Sequence, residues 1–339
     1  MTASILSGIT LKGVSTCVPV TVFDTERDTK NFDPQDIKKI VSMVGVKERR
    51  VVDNVTCSSD LCLKSSRALL KALDWDPGSI DALIMVTQSP DYFLPSTACL
   101  IHRDLNLAES CATFDVGLGC SGYPYGLWLA SMMIQTGSVK RALLLHGETP
   151  SLFTHPEDRS TALLFGDSGS ATALEKGEGE RWGFSLHTDG QGYADLIIPG
   201  GGFRQRNPED DRDNYLHMNG SNLFNFTIKK VPPLINDTLE LMGMTIDDIG
   251  CFVFHQSNQF MMRHITGKNG LPPEKTPIIL GKYGNTGGPS VPLTMSLHYG
   301  ENPVADQENA MLLGYGVGLS WGSALVCVNP DTLFIHSEL

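Results

Sequence analysis

FDVGLGCSGYPYGLWLA, residues 114–130, decides the reading of this chain. A β-type run, Phe114 to Val116, meets Gly117, Gly119 and Gly122 and then passes into a segment of helical character, Tyr123 to Gln135. A strand that turns through glycines straight into a helix delivers a side chain to the helix N-terminus, where unpaired N–H groups and the macrodipole favour an anion. The side chain delivered here is Cys120. The thiolate is the nucleophilic form of cysteine, and such a place favours it. A cysteine in apolar surroundings ordinarily reads as a small buried hydrophobe. Glycines on both sides, which let a ligand approach the backbone closely, turn the reading toward a nucleophile.

Outward from this stretch the chain repeats itself. IDALIMVTQS (80–89) resembles DDIGCFVFHQS (247–257), GLGCSG (117–122) has its counterpart in YGNTGG (283–288), and GDSGSATAL (166–174) in GLSWGSAL (318–325). Pairing Thr87 with His255, Cys120 with Asn285 and Gly169 with Gly322 gives offsets of 168, 165 and 153. Three pairs in one order at similar offsets indicate a diverged duplication. The expected organisation is a first half over 1–175, a connecting excursion over 176–217 rich in glycine, proline and charge, and a second half over 218–339.

Within the halves, helix-period and strand-type segments alternate. Thr56 to Leu73 places apolar residues on one helical face, Ala82 to Val86 reads as a strand buried on both sides, and Arg141 to Leu145 repeats that pattern. The alternation predicts a layered α/β fold.

Composition narrows the function classes. The 339 residues are 41% hydrophobic and 19% charged, which fits a compact globular chain. Apolar runs fall far short of the roughly 18–20 residues of a membrane span. MTASILSGIT has no basic region followed by an apolar stretch and a cleavage site, so a cytoplasmic protein is expected. A net charge of −12 argues against nucleic acid as a partner. Eight scattered cysteines without a C-x-x-C pair argue against a disulfide framework or a zinc site, and no metal is expected.

His255 stands at the end of the apolar strand Cys251 to Phe254, where a ring nitrogen can be presented to a reacting group. Asn285 lies in a glycine-rich loop; alone it reads as a turn former, but its amide can also donate to a developing oxyanion. GYGVGLSWG (314–322) reads as a tight turn whose N–H near Val317 completes an oxyanion hole with the amide of Cys120. GLGCSG lacks the third glycine and the following acidic residue of a dinucleotide fingerprint.

Taken together, GVKERRVV (45–52), FDVGLGCSGYPYGL, DRSTALLFGDSGSATAL (158–174), MNGSNLFNF (218–226), FHQSNQ (254–259), YGNTGG and GYGVGLSWGSALV resemble the 3-oxoacyl-[acyl carrier protein] synthase III family of the thiolase-like superfamily. The resemblance implies a five-layered αβαβα fold from two similar halves, usually a homodimer, that works on acyl thioesters of coenzyme A or acyl carrier protein without a cofactor. Cys120 takes the acyl group. His255 and Asn285 bind and activate a malonyl thioester for decarboxylative Claisen condensation, a neutral histidine and an amide stabilising the enolate. Transfer of the acyl group from cysteine to a hydroxyl or amine is the alternative.

Departures from the family pattern point to a specialised member rather than the initiator of bulk fatty-acid synthesis. Lys39 and Met43 stand near the places of a tryptophan and an arginine that hold coenzyme A. Phe260 replaces the arginine after the catalytic histidine, and Asn225 replaces a lysine. Neither substitution keeps a phosphate contact. Lys268, with Lys229, Lys230, Arg263, Arg204 and Arg206, is a candidate for a replacement basic patch toward a carrier. Phe93 and Leu94, in a loop that reaches across the dimer in the family, and Trp128 are expected at the acyl pocket, although Trp128 reads more readily as helix core.

Overall fold

The structure, a computed structural model, describes residues 2–339 apart from the side chains of 179 and 180. The expected duplication is visible as two runs of the same elements. In the first, strand Thr2–Val18 is followed by helix Ser58–Ala72, strand Ala82–Val86, helix Thr97–Leu105, strand Ala112–Val116, helix Gly122–Gln135 and strands Arg141–Glu148 and Ser168–Thr188. In the second, the end of that last strand is followed by helix Gly220–Met242, strand Cys251–Phe254, helices Gln259–Lys268 and Ser290–Glu301, and strands Glu308–Gly316 and Ser320–Val328.

Pairing directions repeat as well. Ala82–Val86 is parallel to Arg141–Glu148, which runs antiparallel to residues 168–175. Cys251–Phe254 is likewise parallel to Glu308–Gly316, which runs antiparallel to Ser320–Val328 and that in turn to residues 183–188. The long strand Ser168–Thr188 joins the strands of the two halves into one nine-stranded sheet, and Thr2–Val18 pairs with it on either side of a register shift at Gly8. There φ is +78°, a conformation that glycine adopts without strain.

Strands buried on both faces divide their side chains between two layers of helix. Ala82, Ile84 and Val86 face the central core with Tyr123 and Leu127, while Leu83 and Met85 pack outward against Leu69, Leu70, Ile101 and Leu105. Cys251 and Val253 face the same centre, and Phe252 and Phe254 meet Leu234, Ile235, Met262 and Ile265 on the opposite outside. Helices Gly122–Gln135 and Ser290–Glu301 thus form the middle layer of five. Each such buried side chain contributes about 1.5–3 kcal/mol, so the sheets anchor the loops at their ends. Among the described residues no helix is long and apolar enough to cross a membrane.

The expected boundary at 175/176 requires correction. The strand Ser168–Thr188 runs through it, and Trp182, Phe184 and Leu186 alternate along it as buried residues. The Lys-Gly-Glu-Gly-Glu composition just before them concealed that alternation. The irregular connection covers 189–217, where Leu196–Ile197 pairs with His217–Met218 at its far end.

Candidate active site

Cys120 sits where strand Ala112–Val116 turns into helix Gly122–Gln135, and the turn is closed by the Gly122 N–H donating to the Gly119 carbonyl at 2.7 Å. The backbone N–H groups of Val317 and of Cys120 itself favour the thiolate form. Burial outweighs them and pushes the thiol up to about 11, with the nearby Glu148 adding to the rise. The resting group is therefore a thiol that needs a base. Gly316, at φ +153°, lets the second half's backbone pass this close: a side-chain carbon there would lie 2.8 Å from Cβ and Sγ of Cys120.

His255 is 1% exposed, and its Nδ1 lies 3.0 Å from the Gly287 carbonyl and 2.9 Å from Ser290 Oγ. A carbonyl only accepts, so Nδ1 carries the hydrogen and Nε2 holds a lone pair. Burial pushes the ring down to about 4, and it is neutral at pH 7. The neutral ring thus offers a base at Nε2 rather than the donor that an enolate needs. Ser290 and Gly287, which set this tautomer, carry no signal of that role in the sequence.

The amide of Asn285 is oriented by its own loop. Oδ1 accepts the Gly287 N–H at 2.9 Å, and Nδ2 donates to the Ser257 carbonyl at 3.3 Å, leaving one N–H of Nδ2 uncommitted. Its backbone is stitched to the first half, with N donating to the Leu164 carbonyl at 2.9 Å and the carbonyl accepting from Gly166 N–H at 3.0 Å. Cys120, His255 and Asn285 line one cavity of about 100 Å³, walled by Leu164, Phe165, Leu196, Leu223, Met261 and Tyr315. A smaller one of about 60 Å³ lies beside Cys120 against Gln88, Glu148, Phe153, Leu216 and Val317. Leu196 and Leu216, from the irregular connection, therefore help to form the site.

The residues expected at the acyl pocket are not brought there within the single chain. Phe93 and Leu94 are 79% and 80% exposed. Trp128 packs on the central core with its indole N–H donating to Ser4 Oγ at 3.1 Å, because its position on the helix turns it toward the first strand rather than toward Cys120. Phe260 and Asn225 do line a larger cavity, about 620 Å³, which shares Leu164, Met218, Gly220, Asn258 and Met261 with the Cys120 cavity and forms its mouth. Lys268 is exposed on the last turn of helix Gln259–Lys268 and does not line that mouth.

Two buried groups went unread in the sequence. The ring of His146 occupies the space that a side-chain carbon on Gly288 would need, so the two residues are matched across the halves. Glu148 accepts the Gln88 N–H at 2.8 Å and the Ser89 hydroxyl at 2.9 Å, holding the segment after strand Ala82–Val86. Burial pushes its carboxyl from the ordinary 4.5 up to about 8. Because the folded value is the higher one, its contribution to stability is complete below 4.5 and lost as pH rises through 8. Glu148→Gln, which cannot ionise, should therefore lose less in Tm than the wild type between about pH 5 and about pH 9. Parallel melting curves for the two proteins across that range would refute this role.

A nucleophilic cysteine, a histidine and an asparagine on the corresponding loops of a duplicated five-layered fold define a condensing enzyme of the thiolase type. Family models described as 3-oxoacyl-[acyl-carrier-protein (ACP)] synthase III and its C-terminal region match residues 114–190 and 239–328. A putative 3-oxoacyl-[acyl-carrier-protein] synthase 3 of Campylobacter jejuni is 35% identical over 332 residues, 93% of each chain. A beta-ketoacyl-[acyl-carrier-protein] synthase III of Natranaerobius thermophilus is 34% identical, covering 91% of this chain and 96% of its own. The crystal structure of a 3-oxoacyl-(acyl-carrier protein) synthase from Burkholderia xenovorans superposes with a TM-score of 0.96 at 40% identity over 99% of each chain. The chain belongs to the 3-oxoacyl-[acyl-carrier-protein] synthase III family and is an acyl-transferring condensing enzyme of that type.

Proposed function

We propose that the protein condenses an acyl group held on Cys120 with a malonyl thioester, losing CO2 and releasing a 3-oxoacyl thioester. The observation that carries this reading is the convergence of Cys120, His255 and Asn285 on one cavity, with Val317 beside Cys120 in the adjoining one, a lone pair on His255 and a free N–H on Asn285. His255 Nε2 takes the thiol proton, the thiolate attacks the incoming thioester, and the carbonyl oxygen develops its charge against the Val317 and Cys120 amides. The departing thiolate leaves with the proton. In the second half-reaction the malonyl carboxylate departs as CO2, the enolate oxygen is held by Asn285 Nδ2, and the carbanion attacks the acyl-Cys120 carbonyl; the tetrahedral adduct collapses with cleavage of the C–S bond, and the expelled Cys120 thiolate takes a proton from solvent to return to the resting thiol. No cofactor enters these steps.

Apolar residues at the mouth support a specialised member rather than the initiator of bulk fatty-acid synthesis. The 61–80% exposure of Tyr92, Phe93 and Leu94, beside the half-buried edge strand Ala112–Val116, supports a homodimer that covers them. The lone pair on His255 also suits a second reading, deprotonation of a hydroxyl or amine that then takes the acyl group. Intact-protein mass spectrometry distinguishes the two. An acyl adduct on Cys120 that malonyl thioester converts to a 3-oxoacyl product is expected; an adduct inert to malonyl thioester but discharged by an alcohol or amine would replace condensation by acyl transfer.

A further inference from the structure

Resting on that reading, we infer that both acyl groups reach Cys120 on a carrier protein and that the nucleotide of coenzyme A is not recognised. A thioester arm long enough to enter this site is mounted either on a nucleotide bearing several phosphate charges or on a protein. The mouth discriminates between them. It is lined by Ile40 and Met43 of helix Pro34–Val44, by Phe224 and Asn225, and by Phe260. Met43 and Phe260 are 57% and 56% exposed, and the Phe260 ring stacks on Phe224 at 5.6 Å.

Among the described lining residues one carries a charge, Arg159, and its guanidinium already lies 3.1 Å from Asp36. A polyanion in this channel would lose water without gaining cations, an unfavourable exchange. A protein surface meets different terms. Exposed cations stand beside the channel: Lys38 and Lys39 on one rim helix, where Lys39 shares Asp36 at 3.7 Å, and Arg263 and Lys268 on the other, which has no acid from Gln259 to Lys268. In a chain of net charge −12 this local excess, on the two helices that border an apolar opening, complements an acidic carrier that buries an apolar contact at the base of its arm.

Loading of Cys120, followed by intact mass, tests this with acetyl-coenzyme A, S-acetylpantetheine and an acetylated bacterial holo-acyl carrier protein. The expected result is rate constants within about threefold for the first two and at least about tenfold higher for the carrier, since a charge-assisted phosphate contact is worth roughly tenfold or more. In the Met43→Arg, Phe260→Arg double variant the ratio of the coenzyme A to the pantetheine rate should rise about tenfold. Should that variant fail to fold, the three-donor comparison on the wild type decides alone. A wild-type preference of tenfold for coenzyme A over pantetheine, or a carrier no faster than pantetheine, overturns the inference. Loading that proceeds as expected but is not followed by condensation with malonyl thioester would sink the condensation reading and leave this one standing. Absence of loading from all three donors would sink both.

Discussion

Replacing Cys120 by alanine is expected to abolish covalent acylation and to lower condensation by about 10⁴-fold or more, as loss of a nucleophile does in comparable enzymes. The reason lies in the division of labour around the sulfur. The Val317 and Cys120 amides and the His255 lone pair act on a thioester only through the thiolate they help to form or the tetrahedral oxygen that follows its attack. Without the sulfur no acyl group is retained for the second substrate to meet. The fold should survive, because Cys120 is only partly buried and the change removes a single heavy atom, at a cost of about 1 kcal/mol. Intact mass after exposure to acyl thioesters, beside a thermal melt, is the measurement. A persisting adduct on Cys120→Ala would move the nucleophile elsewhere, and a collapsed melt would make the variant uninformative about chemistry.

The fold was legible because its rules are local. Strands buried on both faces read as short unbroken apolar runs, and Ala82–Val86 and Cys251–Phe254 are such runs followed at once by polar residues. The nucleophile turn was legible from glycines whose need becomes visible in space: a side-chain carbon on Gly119 would meet Gln88 and Val317, and one on Gly122 would meet Val86 and His146. Where the reading failed, the deciding contact lay far along the chain. Trp128, read either as helix core or as pocket wall, is fixed in the core by Ser4, 124 residues away, and the 175/176 boundary is overruled by pairing of residues 181–186 with residues 2–7. The tautomer of His255 depends on Gly287 and Ser290, neither of which distinguishes itself from an ordinary loop residue until the two halves are brought together. The apolar mouth stands between these cases. Phe260 and Asn225 were visible as substitutions in a pattern, but their joining with Met43 and Phe224 around one opening is a property of the packed helices.

Asn285→Ala should separate the two half-reactions. Condensation is expected to fall by about 10²–10³-fold, the usual cost of removing one preorganised oxyanion donor, while acylation of Cys120 changes by no more than a few-fold. The asymmetry follows from which hydrogens are free. Acylation develops its charge against backbone amides that the substitution leaves in place. Decarboxylation develops charge on the malonyl carbonyl, where the neutral His255 presents a lone pair and the free N–H of Asn285 is the fixed donor. Asp at this position would be worse than Ala, since a carboxylate beside an enolate repels it. Because the Asn285 side chain also accepts from Gly287, which in turn holds His255, part of any loss could come from a displaced imidazole. Acylation reports on that imidazole, so the ratio of the two rates isolates the donor. Single-turnover measurements of adduct formation and of product release from preloaded enzyme give both rates. Equal losses in the two would show that Asn285 works by holding the His255 loop, and the assignment of the enolate donor would have to pass to another group.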